Sequence, residues 1–238
     1  MAFRLDNVVP WGRTFEEYDM MFQISKLDKS VKIAGFGDGP ASFNWEANNA
    51  GYSVTSFDPI YQFSKDQISL RIDEVRKIVM KQMKDNQENF VWTKIRDLEQ
   101  LEKIRMGAMN IFLEDFERGK SEGRYVYHEL PERLSVPDNY FDVGISSHFL
   151  LLYAELGVEF HINAISEMLR ICKEIRIFPI LNLDSKGTEL VNEIRDYFEK
   201  YCKTNIVETA YEFQKGGNKL LVMRKNIANE FEGRGIHT

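Results

Sequence analysis

The chain has 238 residues, 43% hydrophobic and 29% charged, with a formal net charge of −6 at pH 7. That balance suits a single well-packed domain over residues 1–238 and excludes wrapping a phosphate backbone, which needs clustered Lys and Arg, so no nucleic-acid partner is expected. No run approaches the roughly 18 apolar residues of a membrane span. The opening Met1-Ala2-Phe3-Arg4-Leu5-Asp6 has no leader signal, and Cys172 and Cys202 lack Cys-x-x-Cys spacing, so a cytoplasmic protein with reduced thiols is expected.

Residues 1–29 read as an N-terminal helical segment. Phe15 to Phe22 places aromatic and Met side chains at helical spacing behind Thr14, with Glu17 positioned to complete a capping box. Val31 to Phe36 is a first strand, a helix is expected from about Pro40, and Val54 to Asp58 is a second strand. Residues 64–120 read as a helical insertion. One amphipathic helix carries Ile68, Ile72, Val75, Val79 and Met83, and a second, from about Leu98 to Arg118, carries Leu101, Ile104, Met109, Phe112 and Phe116. An ordinary crossover needs only about a dozen residues, so a pair of helices is more than the connection requires. Strands follow at Arg124 to His128, Phe141 to Ser147 and Glu174 to Pro179, with a helix on Val158, Ile162, Ile165 and Leu169 between the last two. A helix on Leu190, Ile194 and Phe198 leads to strands around Asn205 to Phe213 and Lys219 to Met223, read as a hairpin across Lys215-Gly216-Gly217-Asn218. The charge run Arg170 to Arg176 reads as a solvated face. The fold class is therefore α/β: a Rossmann-like, mostly parallel seven-stranded sheet with helices on both faces, an antiparallel C-terminal hairpin strand and an inserted helical pair after the second strand.

The stretch Gly35-Phe36-Gly37-Asp38-Gly39-Pro40 follows the first strand, and Asp58 closes the second. Glycines let backbone approach a ligand closely, and an acid ending the next strand can accept hydrogen bonds from both hydroxyls of a ribose. Pro40 stands where the dinucleotide fingerprint needs its last glycine, and no Gly-Lys-Ser/Thr follows as a P-loop requires.

A Gly-x-Gly-x-Gly loop with a later acid resembles the class I S-adenosylmethionine-dependent methyltransferases. The closest resemblance is to bacterial members, mostly described only by fold, that share Pro10-Trp11-Gly12-Arg13, Gly35 to Asn44, Asp58-Pro59-Ile60-Tyr61-Gln62-Phe63 and a segment like Ser146-Ser147-His148-Phe149-Leu150. The resemblance implies S-adenosylmethionine as cofactor, held by the loop Gly35, Phe36, Gly37, Asp38 and Gly39, with Asp58 on the ribose and Pro59 and Ile60 flanking the adenine. His128 or, preferably, Glu129 would receive the adenine amino group, and Ser146 would sit at the sheet's carboxyl edge. Three departures stand out: Ile33 replaces the acid many members carry, which Arg13 or Asp38 would have to replace; Ile171-Cys172-Lys173-Glu174 lacks the usual Pro-Gly-Gly turn; and no Asn-Pro-Pro-Tyr-type motif follows the fourth strand.

The implied activity is methyl transfer to a small-molecule acceptor. Such a reaction needs in-line positioning and, for oxygen or nitrogen acceptors, a base. His148 is the first candidate base, and Tyr61 and Arg13 are candidates for closing the site or holding an anionic acceptor, with packing the alternative for each. The Met and aromatic side chains of the insertion either line an apolar acceptor pocket or bury their helices. His128, His148, His161 and His237 show no metal-ligand spacing. A non-catalytic binding module, and a different group transfer from the same cofactor, stay open; the acceptor and the oligomeric state are not specified.

Overall fold

The computed structural model describes residues 9–182, 187 and 189–226; the opening residues read for a leader, and His237, lie outside these. Seven strands form one sheet in the order β3-β2-β1-β4-β5-β7-β6. They are β1 (Lys32–Phe36), β2 (Ser53–Asp58), β3 (Tyr125–Tyr127), β4 (Phe141–Ser147), β5 (Cys172–Phe178), β6 (Cys202–Glu208) and β7 (Lys219–Lys225). The first five pair in parallel, while β7 runs antiparallel to both β5 and β6. The strand order reverses at β1, whose neighbours are β2 and β4, and the crevice outside the carboxyl ends of β1 and β4 is where open α/β sheets bind ligands.

Alternate side chains of the central strands enter two cores, as a period of two demands. Ala34, Phe36, Ile175 and Ile177 pack under α5 (Val158–Ile171) and α6 (Leu190–Phe198). Ile33, Val54, Val143 and Ile145 face α1 (Phe15–Phe22) and α2 (Phe43–Asn49). The two helices between β2 and β3, α3 (Lys65–Asp85) and α4 (Leu98–Ser121), pack on each other and complete the second core and a smaller aromatic cluster. The capping box read at Thr14 and Glu17 is complete on α1, and the structure adds a second, Ser64 with Gln67, on α3.

Four expectations are corrected. Helix α2 starts at Phe43 rather than near Pro40; the backbone of Pro40 and Ala41 packs closely on Gly12, where an added Cβ would lie 2.1 Å from the Pro40 carbonyl oxygen. The strand expected over 205–213 ends at Glu208, so β6 and β7 are joined by a broad connection carrying Tyr211 and Phe213 rather than by a short hairpin turn. β3 is shorter than read. The charge run at the start of β5 is not all solvated: Arg170 and Glu174 are buried, Arg170 bonding Glu167, Asp138 and the carbonyls of Leu134 and Val136, and Glu174 pairing with Arg176 and Arg224. Buried charges persist only when paired in this way.

Candidate functional site

The loop after β1 is bent by two glycines in the left-handed region, Gly37 at φ 71° and Gly39 at φ 59°. The Gly37 N–H donates to the Phe57 carbonyl at 2.9 Å, and a Cβ on Gly37 would meet the Phe149 ring at 2.8 Å. A Cβ on Gly39 would meet nothing within 4 Å, so that face of the loop is open. Asp58, at the end of β2, accepts the Gly39 N–H at 2.8 Å on one oxygen and the Ile60 N–H at 2.9 Å on the other. Each oxygen keeps a lone pair. Burial pushes the Asp58 carboxyl up to about 6 against the effect of these two N–H groups.

The loop acid takes a different place from the one expected. Asp38 turns inward, accepting from Tyr18 Oη at 2.9 Å and Ser56 Oγ at 2.6 Å, and burial raises its pKa to about 7. Its carboxylate occupies the space a Gly35 side chain would need, at 1.8 Å from an added Cβ, so Asp38 shapes the loop and presents no carboxylate to a cofactor. Phe36 places its ring in the core, 5.5 Å from Phe57, and the partly buried Ile60 packs toward the aromatic cluster of the insertion. Tyr61, read as closing the site, lies within that cluster between Phe112, Phe116 and Tyr125, and its hydroxyl donates to the Gly39 carbonyl at 2.9 Å. It braces the loop from below. Tyr61→Phe is expected to cost about 1 kcal/mol, read as a fall of roughly 2–4 °C in the unfolding midpoint, with the ring packing unchanged.

Two cavities open at this edge. The first is walled by Gly37, Pro59, His128, Glu129, Phe149 and Phe160. Glu129 is exposed, whereas His128 is buried with Nε2 lacking a hydrogen-bond partner and burial lowering its pKa. Ser146 Oγ, fully buried at the end of β4, likewise has no partner among the described residues. Orphaned polar atoms beside an open glycine and a carboxylate with spare lone pairs suit a ribose-bearing ligand, so the residues fit the cofactor the resemblance implies.

The second cavity brings Arg13 and His148 together with Val79 and Met83 of α3, Phe90 and Phe213. The insertion therefore lines an apolar pocket as well as burying its own helices. His148 has φ 53°, an uncommon conformation for a side-chain-bearing residue, held by its N–H bond to the Phe178 carbonyl at 2.7 Å. Its ring lies 5.4 Å from Phe178 and 6.1 Å from Tyr211, with Nδ1 2.9 Å from Ser147 Oγ. Burial, and then the cations Arg13 and Arg105, hold the imidazole well below its ordinary pKa, so it is neutral at pH 7. Tyr153 also lines this cavity, and His161 is a core residue within reach of the Gly157 and Leu150 carbonyls.

Behind the second cavity stands a cluster that sequence reading missed. Arg105 of α4 is 1% exposed and bonds Glu17 of α1 at 2.5 Å and Tyr211 at 3.3 Å, while Tyr211 donates to Glu17 at 3.0 Å. The available signal was a charged residue set on the apolar stripe of Leu101, Ala108 and Phe112. Among the described residues no helix is long and apolar enough to cross a membrane, and no group of three or more His, Cys, Asp or Glu stands together as a metal site.

This sheet, with β7 reversed, a glycine loop after β1 and an acid ending β2, is a Rossmann-like fold. The chain belongs to the family of the Uncharacterized protein MJ0045 of Methanocaldococcus jannaschii, to which it is 35% identical over 223 residues, 93% of this chain and 98% of that protein. No protein-family model matches it. Among solved structures it is similar to a TehB-like SAM-dependent methyltransferase of Corynebacterium glutamicum (TM-score 0.48, 15% identity, covering 89% of this chain and 86% of that one). It is also similar to the magnesium protoporphyrin IX methyltransferase of Synechocystis PCC 6803 with bound SAH (TM-score 0.44, 11% identity, covering 89% and 84%).

Proposed function

We propose that this protein is an S-adenosylmethionine-dependent methyltransferase acting on a small-molecule acceptor. The observation that carries this reading is the Asp58 carboxylate, fixed by the Gly39 and Ile60 N–H groups beside the open face of Gly39 at the sheet's switch point. When bound, S-adenosylmethionine supplies an electrophilic methyl group on a sulfonium. Asp58 would take the ribose hydroxyls, the open face of Gly39 would leave room for the ligand's closest approach, Pro59 would flank the adenine, and His128 or Glu129 would meet its polar edge. His128 gains weight from its orphaned Nε2.

His148 would serve an oxygen or nitrogen acceptor by taking its proton. The Ser147 hydroxyl lies 3.6 Å from Met21 Sδ, and a hydrogen directed there leaves the oxygen free to accept from Nδ1–H. That tautomer presents the Nε2 lone pair as the base. Being neutral at pH 7, the ring needs no prior deprotonation.

Calorimetric titration with S-adenosylmethionine, S-adenosylhomocysteine, NAD and ATP tests the reading. Selective binding of the first two supports it, and binding of none of them overturns it. The affinity should also depend on pH with a defined sign. Ribose hydroxyls donate to ionised Asp58, whose folded-state pKa is about 6, so binding favours the deprotonated form. Affinity for S-adenosylhomocysteine is expected to level off above that value and to fall by up to about tenfold per pH unit below it. Asp58→Asn should flatten this dependence.

A second reading, a non-catalytic module that binds the same cofactor, is favoured by Ile33. Its side chain is wholly buried in the second core, so β1 brings no carboxylate to the cofactor's amino group. Tight binding of S-adenosylhomocysteine with no methyl transfer across a broad acceptor screen would favour this module.

A further inference from the structure

Among the described residues, charge around the second cavity does not balance. Arg13 makes no ion pair among the described residues, its Nε has no hydrogen-bond partner, and its one bond in the described structure is from Nη1 to the Trp11 carbonyl at 3.2 Å. The nearby carboxylate, Glu17, is occupied by Arg105, Tyr211 and the Thr14 N–H. Among the described residues two guanidinium groups thus share one carboxylate, and His148 beside them is uncharged, leaving one surplus positive charge at the cavity wall. The Nε1 of Trp11, another wall residue, is also unpartnered among the described residues. Buried cations and buried donors are normally satisfied, so these point to a ligand group that supplies one negative charge and acceptor oxygens. The remaining wall, Val79, Met83, Phe90 and Phe213, is apolar.

We propose that the second cavity takes a small apolar carboxylic acid, its carboxylate held by Arg13 and its hydrocarbon or aromatic body lying against the α3 side chains and Phe213. A guanidinium fork matches a carboxylate, and a surplus of one charge matches a monoanion better than a phosphate dianion. This rests on the methyltransferase reading in one respect, that the molecule bound here is the acceptor. The same carboxylate chemistry is also carried by the methionine part of the cofactor, and the two sources separate experimentally.

Three matched probes, 3-phenylpropionate, its amide and 3-phenylpropylamine, are titrated calorimetrically into the protein loaded with S-adenosylhomocysteine. The acid is expected to bind at least about tenfold more tightly than the amide, with the amine weakest. In Arg13→Gln that preference should vanish while S-adenosylhomocysteine affinity is retained, and in Arg13→Lys part of the preference should survive, showing that the position tolerates substitution. Equal binding of acid and amide, no binding of the acid, or a preference that persists in Arg13→Gln overturns the proposal. Loss of S-adenosylhomocysteine affinity in Arg13→Gln assigns the carboxylate to the cofactor and also overturns it. If wild-type protein binds no S-adenosylhomocysteine, the cofactor reading fails on its own, and the same probe comparison on the ligand-free protein still decides the anion site.

Discussion

Arg105→Ala is expected to destabilise the protein by about 3–5 kcal/mol, because it strands the Glu17 carboxylate, 5% exposed, without its charge partner. Thermal unfolding should show a fall in midpoint of roughly 10 °C for a chain of this size. Burial opposes ionisation of Glu17, yet Arg105, Arg13 and the hydrogen bonds outweigh it and hold the carboxyl below its ordinary pKa. The ion pair therefore contributes fully at neutral pH, and its contribution fades as the pH falls through the acid range. The double variant Glu17→Met with Arg105→Met should recover much of the loss, since the two charges leave together and neither is stranded without the other. The paired variants separate the cost of an orphaned charge from the net worth of the pair. A loss below about 1 kcal/mol in Arg105→Ala would mean that water or a shifted side chain reaches Glu17. The same substitution removes one of the two hydrogen bonds of the Tyr211 hydroxyl, whose ring contacts His148, so the wall of the second cavity should loosen as well.

Asp58→Ala is expected to weaken S-adenosylhomocysteine binding by about 1.5–3 kcal/mol, roughly 10- to 150-fold, as the charge-assisted bonds to the ribose are lost. The variant also removes the acceptor for the Gly39 and Ile60 N–H groups, which loosens the loop. Asp58→Asn isolates the two effects: it keeps an oxygen for one N–H and has no charge, so it should hold the fold better while losing the pH dependence of binding. Unchanged cofactor affinity in Asp58→Ala would place the site elsewhere.

Much of this architecture was readable along the chain because it is local. The capping residues Thr14 and Glu17, the apolar rhythm of Ile68 to Met83, and the glycine loop followed by Asp58 depend on spacing within one or two elements, and they appear in the structure where they were read. The side-chain directions inside the loop were not readable. Phe36 and Asp38 flank Gly37, yet Phe36 enters the core and Asp38 turns to Tyr18 and Ser56, because the strand's pleat and the positive φ at Gly37 decide which way each residue faces. Ile60 shows the same effect beside Pro59: one residue further along the chain moves the side chain from the cavity wall to the aromatic cluster.

The strand and helix order, the glycine loop with its following acid, and the presence of extra helices after β2 could be read along the chain, since periodicity and turn chemistry act over short spans. Only the tertiary structure decided that Arg13, His148, the α3 side chains and Phe213 wall one cavity, and that Glu17, Arg105 and Tyr211 close a buried network behind it. Those residues come from segments separated by 88 positions between Glu17 and Arg105 and 194 between Glu17 and Tyr211. Nothing in local propensity encodes such meetings. They follow from burying two helices against one sheet edge, where each buried charge must find a partner or be left for a ligand to match.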